Sequence, residues 1–501
     1  MKNLIIFLFT SLLAICSLQS QPDTLWTRVY GGQYADGGRA VIEAIDGGYI
    51  VAGYTYSAGA GYADFCLIKT DPDGNQVWIK TYGGNNMDYA FDVCRSITDD
   101  GYIVVGYTAS FGNGSKDVYM IKTDLSGNEL WSHTFGGEGL EIAKSVIRTN
   151  DGHYLICGYA QSSGSVEDDI YIIKTDQSGI LSWEKTFGSE HSEMGEDIIE
   201  TSDGNYLIAG SSGLYDIPGN ASGKNREMYL AKIDPSGDLL EEGYYWIMLG
   251  NQGAYDDAYA VCESGAGNYY IVGGCTRESV EVMDIGVVKT DSQLNPIWKN
   301  HYEMDESSFY DFARAAVSPA PDGGVIVCGS FKYASSLNND LFVMKIDSSG
   351  NEVYSNFLGG DGSDAAYDLK QTSDGNIIIT GQSSSSGSGS FDVYLLKFDL
   401  ITGLQESTGQ GNIPLRIFPN PGRSNITISF STTSGMEVQL AIIDLAGNTV
   451  KVHKCGYMDP GKHELKWDGK DDGGTDVAAG IYFCRLVSRK AQGSRKIIIS
   501  D

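Results

Sequence analysis

From Asp23 to Gly403 the apolar and polar positions follow one pattern that recurs at intervals of roughly 52 to 58 residues. The copy from Asn75 to Gly127 reads NQVWIKTYGGNNMDYAFDVCRSITDDGYIVVGYTASFGNGSKDVYMIKTDLSG. It resolves into four short runs rich in β-branched and aromatic residues, each closed by Gly, Asp, Asn or Ser. No run has the length or spacing of a helix. In the third and fourth runs apolar residues stand at both parities, with Val118, Tyr119, Met120 and Ile121 consecutive. A strand covered on both faces reads this way, as it does in a sheet sandwiched between two others.

Labelling the strands a, b, c and d from the inside outward, the a–b–c triple and the d run each occur seven times. The first d run, LWTRVYGG, precedes any triple, and the last triple, ending FDVYLLKFD at Asp399, has no d run after it. The N-terminal strand is therefore expected to complete the last sheet, so that no edge is left open. The fold predicted for residues 21–403 is an all-β, seven-bladed β-propeller closed by the N-terminal strand.

Recurrence separates structural residues from functional ones. The stretch KTDPDGNQVW at Lys69 has the oxygen spacing of a calcium loop, but its copies follow throughout the chain. Lys69, Lys122, Lys174 and Lys289 are each followed two residues later by Asp71, Asp124, Asp176 and Asp291, and looser copies start at Lys232, Lys345 and Lys397. The second acid of such a loop, Asp73, becomes serine in most copies, and no bidentate acid follows. The lysine is expected to bury its stem and pair with a neighbouring carboxylate. The aspartate is expected to open the c–d hairpin, with the Gly-Asn pair supplying the positive φ of the turn.

The a–b and c–d turns are short and alike, so function is expected on the opposite face, where the b–c and d–a connections differ. Candidate binding residues there are Tyr56, Tyr62, Phe111, Tyr215, Tyr255, Asp256, Asp257 and Tyr333. Tyr and Phe among Ser, Gly and Asn suit contact with a glycan or a protein; irregular solvated loops are the plainer reading.

Composition narrows the partners. The formal charge of −30 argues against nucleic acid or an anionic membrane. The first 20 residues read as a secretory signal peptide, with an apolar run from Leu4 to Ile15 too short to span a membrane. Nine cysteines include Cys16. Cys66, Cys94, Cys157, Cys262 and Cys328 occupy slots that other copies fill with apolar residues, so they read as buried thiols. Cys455 and Cys484 lie elsewhere and could pair. Six histidines form no HExxH and no metal-spaced pair, and no GxSxG occurs. No catalytic, metal or cofactor residues are predicted. The D-x-x-G-x-x-x-W hairpin is similar to the docking repeat of quinone-cofactor dehydrogenase propellers, but it is one residue shorter before glycine and the adjacent cysteine pair of that family is absent.

After Asp399 the pattern stops. Residues 404–412 read as a polar linker, and residues 413–501 as a small sandwich of six or seven alternating strands. This segment carries IFPNP at Ile417, IIDLAGNTV at Ile442, and GKHELKWDGKDDGGTDVAAGIYFCRL at Gly461, with Arg495 and Lys496 in a basic last run. It resembles the type A C-terminal sorting domain of the bacterial type IX secretion system. The matching residues are Pro419, Asn420, Pro421, Asp444, Gly447, Trp467, Gly480 and Tyr482. The resemblance implies an Ig-like fold, recognition by the outer-membrane translocon through residues 413–501, a Bacteroidetes-like source, and release or attachment at the cell surface after signal-peptide cleavage. The repeats are similar to bacterial β-propeller repeats found beside such domains. The function expected is that of a secreted or surface-attached binding or adhesion module; the alternative is a polysaccharide hydrolase or lyase using the variable face.

Overall fold

The computed structural model describes residues 24–96, 101–161, 167–189, 191–214, 225–247, 255–265, 267–276, 283–303, 316–319, 323–332, 338–398, 415–418, 422–424, 426–432, 435–444, 449–488 and 492–499. Every regular element among them is a β-strand. Seven four-stranded antiparallel sheets account for residues 24 to 398. The first contains Asp36–Glu43, Tyr49–Thr55, Asp64–Thr70 and Gln76–Tyr82 as its a, b, c and d strands. The seventh contains Asp364–Gln371, Ile377–Ser383 and Asp392–Phe398, and its fourth strand is Thr24–Tyr30, paired antiparallel with Asp392–Phe398.

Burial explains why b and c read as unbroken apolar runs. All seven residues of Tyr49–Thr55 and of Asp64–Thr70 are buried, whereas every residue of Gln76–Tyr82 before Tyr82 is exposed or half-buried. Each sheet packs on the next. Leu67, Phe65 and Ala52 of the first sheet share a core with Val104, Tyr119 and Ile121 of the second. Val41, Val51 and Ile68 of the first share another with Ile378, Val393 and Leu395 of the seventh. Each fully buried Val, Leu, Ile or Phe contributes about 1.5–3 kcal/mol, so these seams hold the sheets together.

The recurring KTD…GN…W stretch is a seam clamp as well as a turn. Asp71 Oδ1 accepts the backbone N–H groups of Asp73 (3.0 Å) and Asn75 (2.7 Å), and Gly74 takes φ 77°. Asp124, Asp176 and Asp291 accept equivalent backbone bonds. The glycine alone takes the positive φ; the following asparagine uses its side chain, with Asn75 Nδ2 donating to Asp71 Oδ2 at 2.9 Å. In the fifth sheet Leu294 (φ 59°) replaces glycine, the one non-glycine in the left-handed region among the described residues. A Cβ on Gly127 would lie 2.8 Å from the ring of Trp78, which stands on the d strand of the preceding sheet, and Gly74 stands in the same relation to Trp26. One strand end further on, the Tyr82 hydroxyl donates to the Gly127 carbonyl at 2.6 Å. Turn glycine, tryptophan and tyrosine therefore recur together because each joins two sheets.

The lysines find carboxylates in the a–b turns of their own sheets. Lys69 pairs with Asp46 (2.8 Å), Lys174 with Asp151 (2.7 Å), Lys232 with Asp203 (2.7 Å) and Lys397 with Asp374 (2.6 Å). Lys122 instead donates to Ser96 Oγ, and Lys289 to the Ser348 carbonyl at 2.9 Å. Lys174 and Lys397 also lie over Tyr206 and Tyr49 of the adjoining sheets. Cys66, Cys157 and Cys262 are buried free thiols, and Cys94 is a half-buried one; burial holds all four in the neutral form. The side chain of Cys455 lies outside the described residues.

The C-terminal segment is a second unit. A three-stranded sheet of Leu415–Phe418, Ile426–Thr432 and Gly461–Trp467 faces a four-stranded sheet of Thr449–Met458, Met436–Asp444, Gly480–Ser488 and Gln492–Ile499. Trp467 is fully buried between them, its Nε1 donating to the Lys470 carbonyl at 2.8 Å. WDGKDDGG forms a turn of the same kind as the hairpins above: Asp471 Oδ1 accepts the Thr475 N–H at 2.9 Å, and Gly474 takes φ 81°. This unit rests against the sixth sheet. Arg495 donates to the carbonyls of Leu415 (2.5 Å) and Ser355 (2.6 Å) and to Asn356 Oδ1. Ser355 to Leu358 on that sheet's outer strand are buried, unlike the outer strands of the other sheets.

Candidate functional site

Six of the a strands carry a β-bulge at one place. The register shifts between Gly38 and Ala40, Ala90 and Asp92, Ala143 and Ser145, Gly195 and Asp197, Ala258 and Ala260, and Ala366 and Asp368. A bulge leaves one residue unpaired and re-aims its side chain. The bulged residues are Arg39, Phe91, Lys144, Glu196, Tyr259 and Tyr367, and all are partly exposed. The repeat keeps small residues or aspartate on either side and varies the one between.

Neighbouring bulges touch. The Arg39 guanidinium lies 3.9 Å from the Tyr367 ring centroid and 5.3 Å from that of Tyr54. The Lys144 ammonium lies 5.0 Å from the Phe91 centroid and 2.8 Å from Glu196 Oε2. Beside them runs an arc of tyrosines. Tyr54 and Tyr89 have centroids 4.6 Å apart, Tyr89 and Tyr107 stack at 5.4 Å, and the Tyr56 and Tyr89 hydroxyls share a hydrogen bond. Lys116 sits 4.1 Å from the Tyr107 centroid. Burial pushes the Tyr107 phenol up to about 12 and lowers the Lys116 ammonium. Each tyrosine of the arc offers an apolar face with a hydrogen-bonding tip.

Behind the bulges stand acids that stitch neighbouring sheets. Asp92 Oδ2 accepts the Val146 N–H at 2.8 Å, Asp197 Oδ2 that of Val261 at 2.9 Å, and Asp368 Oδ2 that of Val41 at 2.9 Å. Burial raises Asp92 to about 7 against the pull of Lys370. Burial also disfavours the charge on Lys370, but the carboxylates of Asp368, Asp92 and Asp197 outweigh it and hold the ammonium charged.

A cavity of about 320 Å³ opens where the seventh, first and sixth sheets meet, lined by Arg39, Tyr367, Asp364, Gln382, Asn339 and Phe391 among others. The Nε and Nη1 donors of Arg39 are buried, and no acceptor for them lies among the described residues.

Of the residues singled out in the sequence, Tyr56 belongs to the arc. Tyr62 and Phe111 are exposed on b–c loops, outside it. Tyr255 lies under Arg226, which pairs with Asp257 at 3.2 Å. Asp256 is fully buried and accepts the Ile247 N–H at 2.9 Å, and Asp257 is buried too, so neither carboxylate is presented to solvent. Tyr215, Tyr333, Pro419, Asn420, Pro421 and Gly447 lie outside the described residues. Asp444 ends one strand and Gly480 starts another; Trp467 and Tyr482 pack edge-to-face in the C-terminal core. The bulged residues were missed, although runs such as GRA, AKS and GED, each with a large side chain between a small residue and a second small residue or aspartate, were there to be found. The fold also gathers Asp284, His301 and Glu303, with donor atoms within 4.8 Å of one another, which no histidine spacing in the sequence announces. Among the described residues no helix is long and apolar enough to cross a membrane.

Residues 420–492 match the family model of the FlgD Ig-like domain. No curated protein matches the sequence. Among solved structures, the chain is similar to PorZ, a surface component of the type-IX secretion system of Porphyromonas gingivalis, at 13% identity and a TM-score of 0.38, over 94% of this chain and 60% of that one. This chain thus spans less than two thirds of the PorZ chain. It is similar to the Neurospora crassa Pan2 WD40 domain at 10% identity and a TM-score of 0.44, over 77% of this chain and 96% of that one. A protein of unknown function from Dyadobacter fermentans gives 10% identity and a TM-score of 0.41, over 75% and 99%.

Proposed function

We propose that the chain is a surface-displayed binding module: a leader in residues 1–20, a closed seven-bladed propeller in 21–403, a linker in 404–412 and a sorting domain in 413–501. Closure is supported by the pairing of Thr24–Tyr30 with Asp392–Phe398 and by the core shared between the seventh and first sheets. Export through a type IX translocon rests on the C-terminal motifs quoted above, in a segment with an Ig-like fold. Display at the cell surface follows from the same reading.

The binding role rests on one observation. In a fold whose hairpin face repeats, the bulged side chains differ from sheet to sheet and remain partly exposed, as do Tyr56 and Tyr89 of the arc, with Tyr54 and Tyr107 buried beside them. Tyrosine faces flanked by Arg39, Lys116 and Lys144 suit the apolar faces and hydroxyls of a glycan. The test is a glycan array probed with the purified chain, alongside turnover assays on polysaccharides. Specific binding without turnover supports the reading, turnover favours the hydrolase or lyase, and absence of any glycan binding removes it. Deleting 413–501 tests export separately, and surface display of the truncated chain contradicts the sorting role.

A further inference from the structure

We propose that the cavity beside Arg39 is a subsite for the carboxylate of an acidic sugar, a uronic-acid unit carried on an otherwise uncharged glycan. The inference rests on the binding role proposed for this face and adds its ligand class.

Arg39 is the first ground. Among the described residues its buried Nε and Nη1 donors have no carboxylate or carbonyl acceptor, and the polar group beside the guanidinium is the Tyr54 phenol. Buried cationic donors without an acceptor are costly, so the site is incomplete until a ligand supplies one. The nearby acid does not fill that role: Asp364 Oδ2 is occupied by the Gly360 N–H (3.0 Å) and the Ser385 hydroxyl (2.5 Å). Burial also raises the Asp364 carboxyl toward its neutral form, which weakens its repulsion of an incoming anion.

The second ground is preorganisation. The guanidinium is stacked on Tyr367 and flanked by Tyr54, whose hydroxyl donates to Gln382 Oε1 at 3.2 Å. Donors fixed before binding lose little freedom when an oxyanion arrives, and a carboxylate offers two acceptor oxygens.

The third is size and lining. About 320 Å³ is far more than a bare inorganic anion needs and accommodates a sugar ring. Gln382 and Asn339 offer amides to hydroxyls, and Tyr367 and Phe391 offer apolar faces. The overall charge of −30 repels a dense polyanion, whereas a single carboxylate on a neutral chain meets little of that long-range field.

The experiment titrates the purified full chain with a glucuronyl-terminated oligosaccharide and with its uncharged glucosyl counterpart, by calorimetry or saturation-transfer NMR. The acidic sugar is expected to bind on the order of 10-fold tighter, the worth of one charge-assisted hydrogen bond. Arg39→Gln should erase the preference by weakening the acidic sugar far more than the neutral one, and Arg39→Lys should restore part of it. Tyr89→Ala should weaken both sugars alike. Equal binding of the two sugars by the native chain overturns the inference and leaves the binding role standing. So does a preference that survives in a folded Arg39→Gln chain. Binding of neither sugar overturns this inference, and if the array is also blank the binding role falls with it.

Discussion

Asp368 Oδ2 accepts the backbone N–H of Val41 at 2.9 Å, joining the seventh sheet to the first across 327 residues of sequence. The same contact recurs as Asp92 with Val146 and Asp197 with Val261. The carboxylate behind a bulge thus satisfies the next sheet's backbone, and the bulge frees its own side chain for other work.

Removing the Asp368 carboxylate should loosen this seam. Val41 is fully buried, so Asp368→Ala leaves its N–H without an acceptor and should cost about 1–3 kcal/mol in denaturant unfolding. Asp368→Asn retains an acceptor oxygen and should cost less. An Ala variant as stable as the native chain would mean that water replaces the contact.

The hairpin glycines should tolerate no side chain. Gly127 has φ 75°, and a Cβ there meets the Trp78 ring at 2.8 Å. Gly127→Ala should destabilise by more than the roughly 1 kcal/mol of left-handed strain alone. Leu294→Gly poses the opposite case. It relieves that strain but deletes a buried side chain worth about 1.5–3 kcal/mol, so the net change should still be destabilising. Unfolding midpoints of the two variants decide both points.

Acidic pH should stabilise the fold down to about pH 5. Burial raises Asp340 to about 8, with Asp364 adding to it; Glu227 rises to about 7 and Asp256 to about 6. A carboxyl raised above its unfolded value, about 4, contributes stability that is complete below that value and lost as pH climbs through 6 to 8. Asp151 behaves oppositely: burial opposes its charge, yet Lys174 wins and holds it at about 2, so its contribution fades as pH falls below about 4. The melting temperature should be higher at pH 5 than at pH 8, and Glu227→Gln should flatten that slope. An unchanged slope in Glu227→Gln would assign the effect to general charge repulsion.

Arg495 should control docking of the C-terminal unit. It is buried and donates to Ser355 on the sixth sheet. In Arg495→Ala, hydrogen exchange along Glu352–Leu358 should accelerate while the other outer strands keep their rates. Unchanged exchange there would show that apolar packing alone holds the unit.

The repeat was legible because it obeys local rules: period, parity and turn chemistry point to the same strands. The roles of Lys69 and Asp71 followed from their recurrence. Their partners did not, because the Asp46 that meets Lys69 and the Trp78 that covers Gly127 are brought in by pairing and by the next sheet. The bulges escaped for a similar reason. An extra residue in a strand leaves little trace in apolar alternation, so Arg39 and Tyr367 read as ordinary strand positions. Asp256 misled in the other direction: an acid beside a variable loop read as exposed, while the fold uses it to cap that loop from inside.

On the proposed function, ligand binds the face that breaks the repeat. The test compares Tyr56→Ala and Tyr89→Ala with Asp73→Ala, on the hairpin face, against whichever glycan the native chain selects from an array. Affinity should fall on the order of 10-fold or more in the two tyrosine variants, the loss of an aromatic contact, and remain unchanged in Asp73→Ala. Loss of binding in Asp73→Ala, with both tyrosine variants unaffected, would contradict it.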